Sequence, residues 1–286
     1  MKKLTKIIYA VLIVFVLTIV IVVVLMLPKN EKVEEIINNE EIVEETIDKV
    51  ETFDDYRDLW QANYSINNDY VGEIIFDSGL INLPFVCPKK DLNEYVIYDN
   101  FAKVVKDYEH GCESGACSLN DVYLRVDWKT MNYELGGSIF MDYRNTINNQ
   151  NLILYGHHYP SSMTDSQDLF FTPLAKLLTK ENYEKNKTFK LILNNEIRHY
   201  EIVYVYIFAN DDDAYKNLQF FRTNYNIDYD GNADDYYSTY IENVEKVKLY
   251  DTGLSLSTDD YTVTLQTCLD NQASGVEIVV AREISQ

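Results

Sequence analysis

Tyr261-Thr262-Val263-Thr264-Leu265-Gln266-Thr267-Cys268 is the stretch that decides how this chain reads. β-branched residues crowd it, as they do in strands, and successive strand side chains point to opposite faces. Val263 and Leu265 share one face, suited to a core, while Thr264, Gln266 and Cys268 share the other. That second face is a polar row ending in a thiol, and Leu269-Asp270-Asn271-Gln272 beyond it reads as loop. A lone cysteine is more often a small buried hydrophobe than a nucleophile. The thiol therefore needs a partner before it carries chemistry.

Histidine is scarce: His110, His157, His158 and His199. Asn151-Leu152-Ile153-Leu154-Tyr155 is apolar and β-prone, and Gly156 after it marks a bend or a close backbone approach. His157 and His158 then face opposite ways, so one of them can reach a given site. His199 sits in the alternating run Arg198-His199-Tyr200-Glu201-Ile202, a half-exposed strand position, and His110 lies in a Gly/Ser loop.

The chain has 286 residues and a formal charge of −21. Lys2, Lys3 and Lys6 precede the apolar run Ile7 to Leu27, so the remainder is more acidic still. Such a surface repels phosphate backbones, which excludes nucleic acid as a partner. Ile7 to Leu27 matches the ~20 apolar residues of a bilayer-spanning helix. Its exit, Leu27-Pro28-Lys29-Asn30, lacks the small residues of a cleavage site. The expectation is a retained signal anchor within residues 1–28, with residues 7–27 in the bilayer. Basic residues ahead of it place the N-terminus in the cytoplasm and everything after residue 28 outside.

Residues 29–52 are rich in glutamate, with apolar residues at partly helical spacing, and read as a charged, partly helical stalk. From Phe53 onward one large β-rich domain is expected, residues 53–286. Phe53 to Tyr64 reads as a helix with aromatic residues free to dock. Strands are expected at Val71 to Phe76, Ile81 to Val86 (bent or at an edge because of Pro84), Tyr95 to Tyr98, Ser138 to Tyr143 and Asn151 to Tyr155. Thr188 to Leu193 and Arg198 to Phe208 flank Asn194-Asn195 as a hairpin, and Glu277 to Ile284 is the last strand. Helices are expected at Phe101 to Tyr108, from Pro173 to Leu178, at about Ala214 to Asn224 and at Ala233 to Val247. Cys87, between Pro84 and Pro88, reads as buried. Cys112 and Cys117 could pair across their loop in an oxidising exterior or remain as two thiols. Neither they nor Asp211-Asp212-Asp213 sit in a metal-site pattern, so no metal and no cofactor is expected.

Thr264-Leu265-Gln266-Thr267-Cys268 resembles the Thr-Leu-x-Thr-Cys signature of sortases, and Tyr155-Gly156-His157-His158 resembles the segment that carries their catalytic histidine. Asn68 to Ile74, Ile81 to Val86 and Gly137 to Asn145 are similar to class B sortases in the same order. The resemblance spans about residues 53–284. It implies a mainly β fold with peripheral helices, a sortase-like closed β-barrel, preceded here by the anchor and stalk. It also implies a membrane-bound extracellular cysteine transpeptidase. Cys268 would attack a peptide bond in a C-terminal sorting signal of a surface protein, His157 would handle the protons, and the thioester would pass to a cell-wall peptide amine. Sortases add an arginine eight to ten residues after the cysteine, but Val276 and Glu277 stand there. Arg282 is the nominal replacement, with Arg125, Arg144, Arg198 and Arg222 as other donors. Two rival readings stand beside it: a secreted peptidase that uses the same two residues and only hydrolyses, and a sortase-like wall- or peptide-binding protein that has lost its arginine, for which the Val276-Glu277 gap speaks.

Overall fold

Alternation of apolar and polar residues builds a closed β-barrel, which sets the ends of its strands around one shared rim. The computed structural model describes residues 51–105, 111–112, 115–159, 169–208, 233–269 and 275–285. These belong to one compact unit, Val50–Gln286. The strands are β1 (Tyr70–Phe76), β2 (Asn82–Val86), β3 (Ile139–Met141), β4 (Asn151–Tyr155), β5 (Thr188–Leu193), β6 (Glu196–Phe208), β7 (Thr262–Cys268) and β8 (Val276–Ile284). They close in the order β1-β2-β3-β4-β7-β8-β6-β5. Two neighbouring pairs are parallel, β2 with β3 and β4 with β7. Pro84 pairs with Glu73 of β1, while β3 meets β2 at Phe85 and Val86. The missing proline N–H thus breaks no ladder bond on the β3 side.

The barrel interior is one apolar cluster. Val263 and Leu265 of β7 enter it beside Leu152 and Leu154 of β4 and Val279 and Ala281 of β8. Each fully buried aliphatic side chain contributes about 1.5–3 kcal/mol. Two further clusters coat the outside. Helix α3 (Ala233–Val247, with α1 at Arg57–Ile66 and α2 at Lys180–Lys185) lays Tyr237, Tyr240 and Val244 on Tyr204, Ile278 and Val280. On the opposite flank Tyr95, Ile97, Val122, Tyr123, Val126 and Trp128 pack on Tyr70, Val86 and Phe140. Buried Asp69 holds this flank by accepting hydrogen bonds from the hydroxyls of Tyr95 (2.6 Å) and Tyr123 (2.8 Å). The segment from 92 to 135, which from residue 101 on matches no motif, therefore packs as a layer on the barrel wall. Helix α1 docks beside it, with Trp60 Nε1 donating to the Val71 carbonyl at 3.1 Å.

Several expectations change. Phe101 to Val105 is not helical: Val104 bridges back to Tyr98, and this isolated bridge replaces the expected Tyr95 to Tyr98 strand. Thr172–Leu178 is a 3₁₀ helix. Cys112 and Cys117, open in sequence between a pair and two thiols, form a disulfide, and Cys87 is buried as expected. The anchor at 7–27, the stalk up to residue 50 and the helix at 214–224 lie outside the described residues. Among the described residues no helix is long and apolar enough to cross a membrane.

One charge is out of place. Glu277 of β8 is fully buried, opposite Thr267, and neither carboxylate oxygen has a hydrogen-bond partner. Burial pushes its carboxyl up to about 8. Folding therefore takes up a proton between the ordinary carboxylate range and about pH 8, and stability falls as pH rises through that window. At about 1.4 kcal/mol per pKa unit the loss is on the order of a few kcal/mol. Glu277→Gln should remove that part of the pH dependence. Thermal midpoints of the two proteins should diverge at mildly alkaline pH, with the variant higher, and approach each other at acidic pH.

Candidate active site

Parallel neighbours end at the same rim, so the residues leaving β4 and β7 meet. Tyr155 stands opposite Gln266. Beyond that pair, Gly156 N–H donates to the Gln266 carbonyl at 3.1 Å, and Thr267 Oγ1 donates to the Gly156 carbonyl at 2.8 Å. These two bonds tie the residue before His157 to the two residues before Cys268. Gly156 has no room for a side chain: an added Cβ would lie 2.4 Å from Ile139 Cδ1 and 2.7 Å from the Phe171 ring. His157 and Cys268 consequently line one cavity of about 300 Å³, together with Leu124, Phe140 and Gln266. His158 is not part of that lining.

The polar row on β7 divides into two parts. Thr262 and Thr264 are buried and both donate to Asn151 Oδ1, at 3.1 and 3.0 Å. Their role is to lock β7 to β4. Gln266 and Cys268 are the members that reach the cavity.

The cavity favours the uncharged pair. Cys268 opens to solvent at the rim, yet the protein around it pushes its thiol pKa up through desolvation, with Arg125 pulling the other way. His157 is lowered to about 4, first by burial and then by the positive charge of Arg125. At neutral pH the resting form is therefore thiol and neutral imidazole. His157 Nε2 has two polar neighbours, the Leu124 carbonyl at 2.8 Å, which accepts when the imidazole proton sits on Nε2, and the Arg125 guanidinium, which donates when it sits on Nδ1.

Arg282, the nominal arginine, is not brought to the thiol. It pairs with Thr262 at the far end of β7, whereas Cys268 pairs with Val276. Six strand residues separate the two pairs, roughly 20 Å. Its guanidinium faces Glu201 at 3.6 Å and the Ser255 carbonyl at 3.4 Å. Arg144 is committed to buried Asp142, with Nε at 3.0 Å from Oδ1. Burial of Asp142 works against its charge, but the bonds from Arg144 prevail and hold the carboxyl below its ordinary range. Arg198 is spent on Glu196 and the Ile147 carbonyl, and Arg222 is outside the described residues. The guanidinium beside His157 is that of Arg125, which follows the 3₁₀ turn Leu119–Leu124 and lines the neighbouring cavity. Its Nη1 lies against His157 Nε2 and donates to the Leu124 carbonyl at 2.8 Å. No local pattern in the sequence marks this residue, which reaches the site across 32 positions of chain.

No family profile matches the chain. Sortase B of Staphylococcus aureus is 26% identical over 203 residues, 65% of this chain and 74% of that one. Sortase B of Listeria monocytogenes is 28% identical over 151 residues, 52% of this chain and 54% of its own. Among solved structures, sortase B from Bacillus anthracis superposes with a TM-score of 0.55 at 25% identity, covering 79% of this chain and 84% of that one. A closed barrel with a cysteine and a histidine at one rim is similar to the cysteine transpeptidases of the sortase kind. Within that kind, the likenesses are to sortase B proteins.

The two adjacent histidines offer a direct check. His157→Ala should lower activity by about 10²–10⁴-fold, the usual scale for a positioned acid–base group. His158→Ala should cost far less. Rates of peptide cleavage by the two purified variants decide it, and the reverse ranking would reassign the base.

Proposed function

We propose that this chain is a membrane-anchored transpeptidase that joins surface proteins to a cell-wall peptide through a thioester on Cys268. The observation that carries the reading is the shared cavity of Cys268 and His157 at the rim of the barrel. The thiol proton passes to His157 as Cys268 Sγ bonds to the scissile carbonyl carbon. The C–N bond then breaks, and His157 returns the proton to the leaving amine. In the second half, an amine of the wall peptide attacks the thioester, His157 accepts its proton, and the C–S bond breaks as His157 passes that proton to the sulfur, restoring the thiol. One amide is exchanged for another, so no nucleotide is consumed. The peptide partner follows from the class B likeness and from the size of the cavity. The wall-peptide amine as acceptor follows from the family resemblance alone.

In this reading residues 7–27 are the anchor, 29–52 the stalk and 53–286 the catalytic domain, exposed outside the cell. The decisive experiment is mass spectrometry of residues 53–286 after incubation with a library of Leu-Pro-x-Thr-Gly-type and class B sorting peptides. An acyl adduct should appear on Cys268 and be absent in Cys268→Ala, whose fold should be intact by circular dichroism. Added wall-peptide amine should convert the adduct to a ligated product. Release of free acid alone, with no ligation, would favour a hydrolysing peptidase. The topology has its own test: protease added to intact cells should cut the acidic stalk, and protection until lysis would overturn the anchor assignment.

A further inference from the structure

Stabilising the tetrahedral intermediate at Cys268 requires a donor aimed at the developing oxyanion. On β8, where the resemblance leads one to look for an arginine, stand Val276, buried against α3, and the partnerless carboxyl of Glu277. Neither can supply positive charge. The structure instead brings Arg125 to the same rim from the opposite flank, on the segment between residues 92 and 135. Asn100 fixes it: Asn100 Oδ1 accepts from Arg125 Nε at 2.7 Å and also from Nη2. Asn100 is held in turn through its carbonyl, which accepts from the Tyr133 hydroxyl at 3.2 Å. Asn100 and Arg125 line a second cavity of about 180 Å³, which shares Asp121 and Leu124 with the first and has Cys112 of the disulfide in its wall. The guanidinium thus sits in a built seat, with one edge on Asn100 and Nη1 at the Leu124 carbonyl beside His157.

We propose that Arg125 supplies the positive charge for acyl transfer at Cys268, so that the catalytic arginine of this chain comes from the 92–135 segment and not from the last strand. The inference rests on the transpeptidase reading above. Its physical content is a difference between states. A guanidinium beside the imidazole disfavours imidazolium, and so makes protonated His157 a stronger acid toward the leaving amine. The same charge favours the thiolate and the oxyanion, the two anions that form at Cys268 during attack. One cation thereby opposes the charged form of His157 and supports both anionic forms of the nucleophilic centre. Asn100 acts through Arg125 and is a positioning residue.

The test compares Arg125→Met and Arg125→Lys with the unaltered protein by two readouts. The first is the rate of acyl-adduct formation on Cys268 with the sorting-peptide library. The second is the pH profile of Cys268 alkylation by iodoacetamide, which needs no peptide. Arg125→Met should slow acylation by about 10²–10³-fold, the scale for losing one oxyanion donor, and shift the alkylation profile to higher pH. Arg125→Lys keeps the charge but loses the planar fork, so it should recover most of the alkylation shift and less of the acylation rate. Free guanidinium should partly rescue the methionine variant. Asn100→Leu should weaken acylation in the same direction but less. Arg282→Ala should acylate within about twofold of the unaltered protein. The proposal is overturned if Arg125→Met is folded by circular dichroism yet keeps its acylation rate and its alkylation profile. If the methionine variant does not fold, the lysine variant decides, since an unmoved acylation rate there excludes the fork. If the unaltered protein forms no adduct with any peptide, the transpeptidase reading fails, while the alkylation profile still reports whether Arg125 sets the thiol.

Discussion

Thr267 Oγ1 donates to the Gly156 carbonyl, and the Gly156 N–H donates to the Gln266 carbonyl. These bonds continue the parallel pairing of β4 and β7 past the point where both strands end. Everything at the rim depends on that pairing. An antiparallel neighbour would send the chain after Tyr155 to the opposite end of the barrel from Cys268. Parallel pairing delivers two segments 111 residues apart in sequence to one cavity. The Asn151 side chain reinforces the register by accepting from both Thr262 and Thr264. A slip of one residue would break both bonds and turn Cys268 toward the barrel interior.

The electrostatics of the rim follow from its position between core and solvent. Desolvation acts on both members of the pair and favours the uncharged thiol and the uncharged imidazole. Arg125 adds a bias that burial alone cannot give, because it acts with opposite sign on a cation and on an anion. The resting site stores no ion pair. Charge appears there when the substrate arrives, next to a guanidinium already held by Asn100.

Much of this was legible in sequence. The period of two in Tyr261 to Cys268 assigns Val263 and Leu265 to the core and Cys268 to the other face, where the structure has them. Gly156 was readable as a close approach, and two side chains do press on it. Local signals failed where tertiary contacts decide. Phe101 to Val105 has helix-like spacing, but Val104 bridges to Tyr98 and Val105 is buried in the cluster on that flank. Arg282 has the strand parity for the site but the wrong distance along β8, and parity carries no information about distance. Arg125 carries no local mark because its role comes from packing between segments remote in sequence. Thr264 reads in sequence as part of the polar row that ends in the thiol, whereas its hydroxyl is bonded to Asn151.

The disulfide between Cys112 and Cys117 and the free thiol of Cys268 must coexist in one molecule. Disulfides persist in oxidising surroundings, where an exposed thiol is at risk. Oxidation to sulfenic acid and beyond proceeds through the thiolate and follows its abundance. A thiol held in its protonated form is therefore a slow target for peroxide, and Cys87 is buried where it offers no ready resolving partner. The raised thiol pKa exchanges standing nucleophilicity for slower reaction with peroxide.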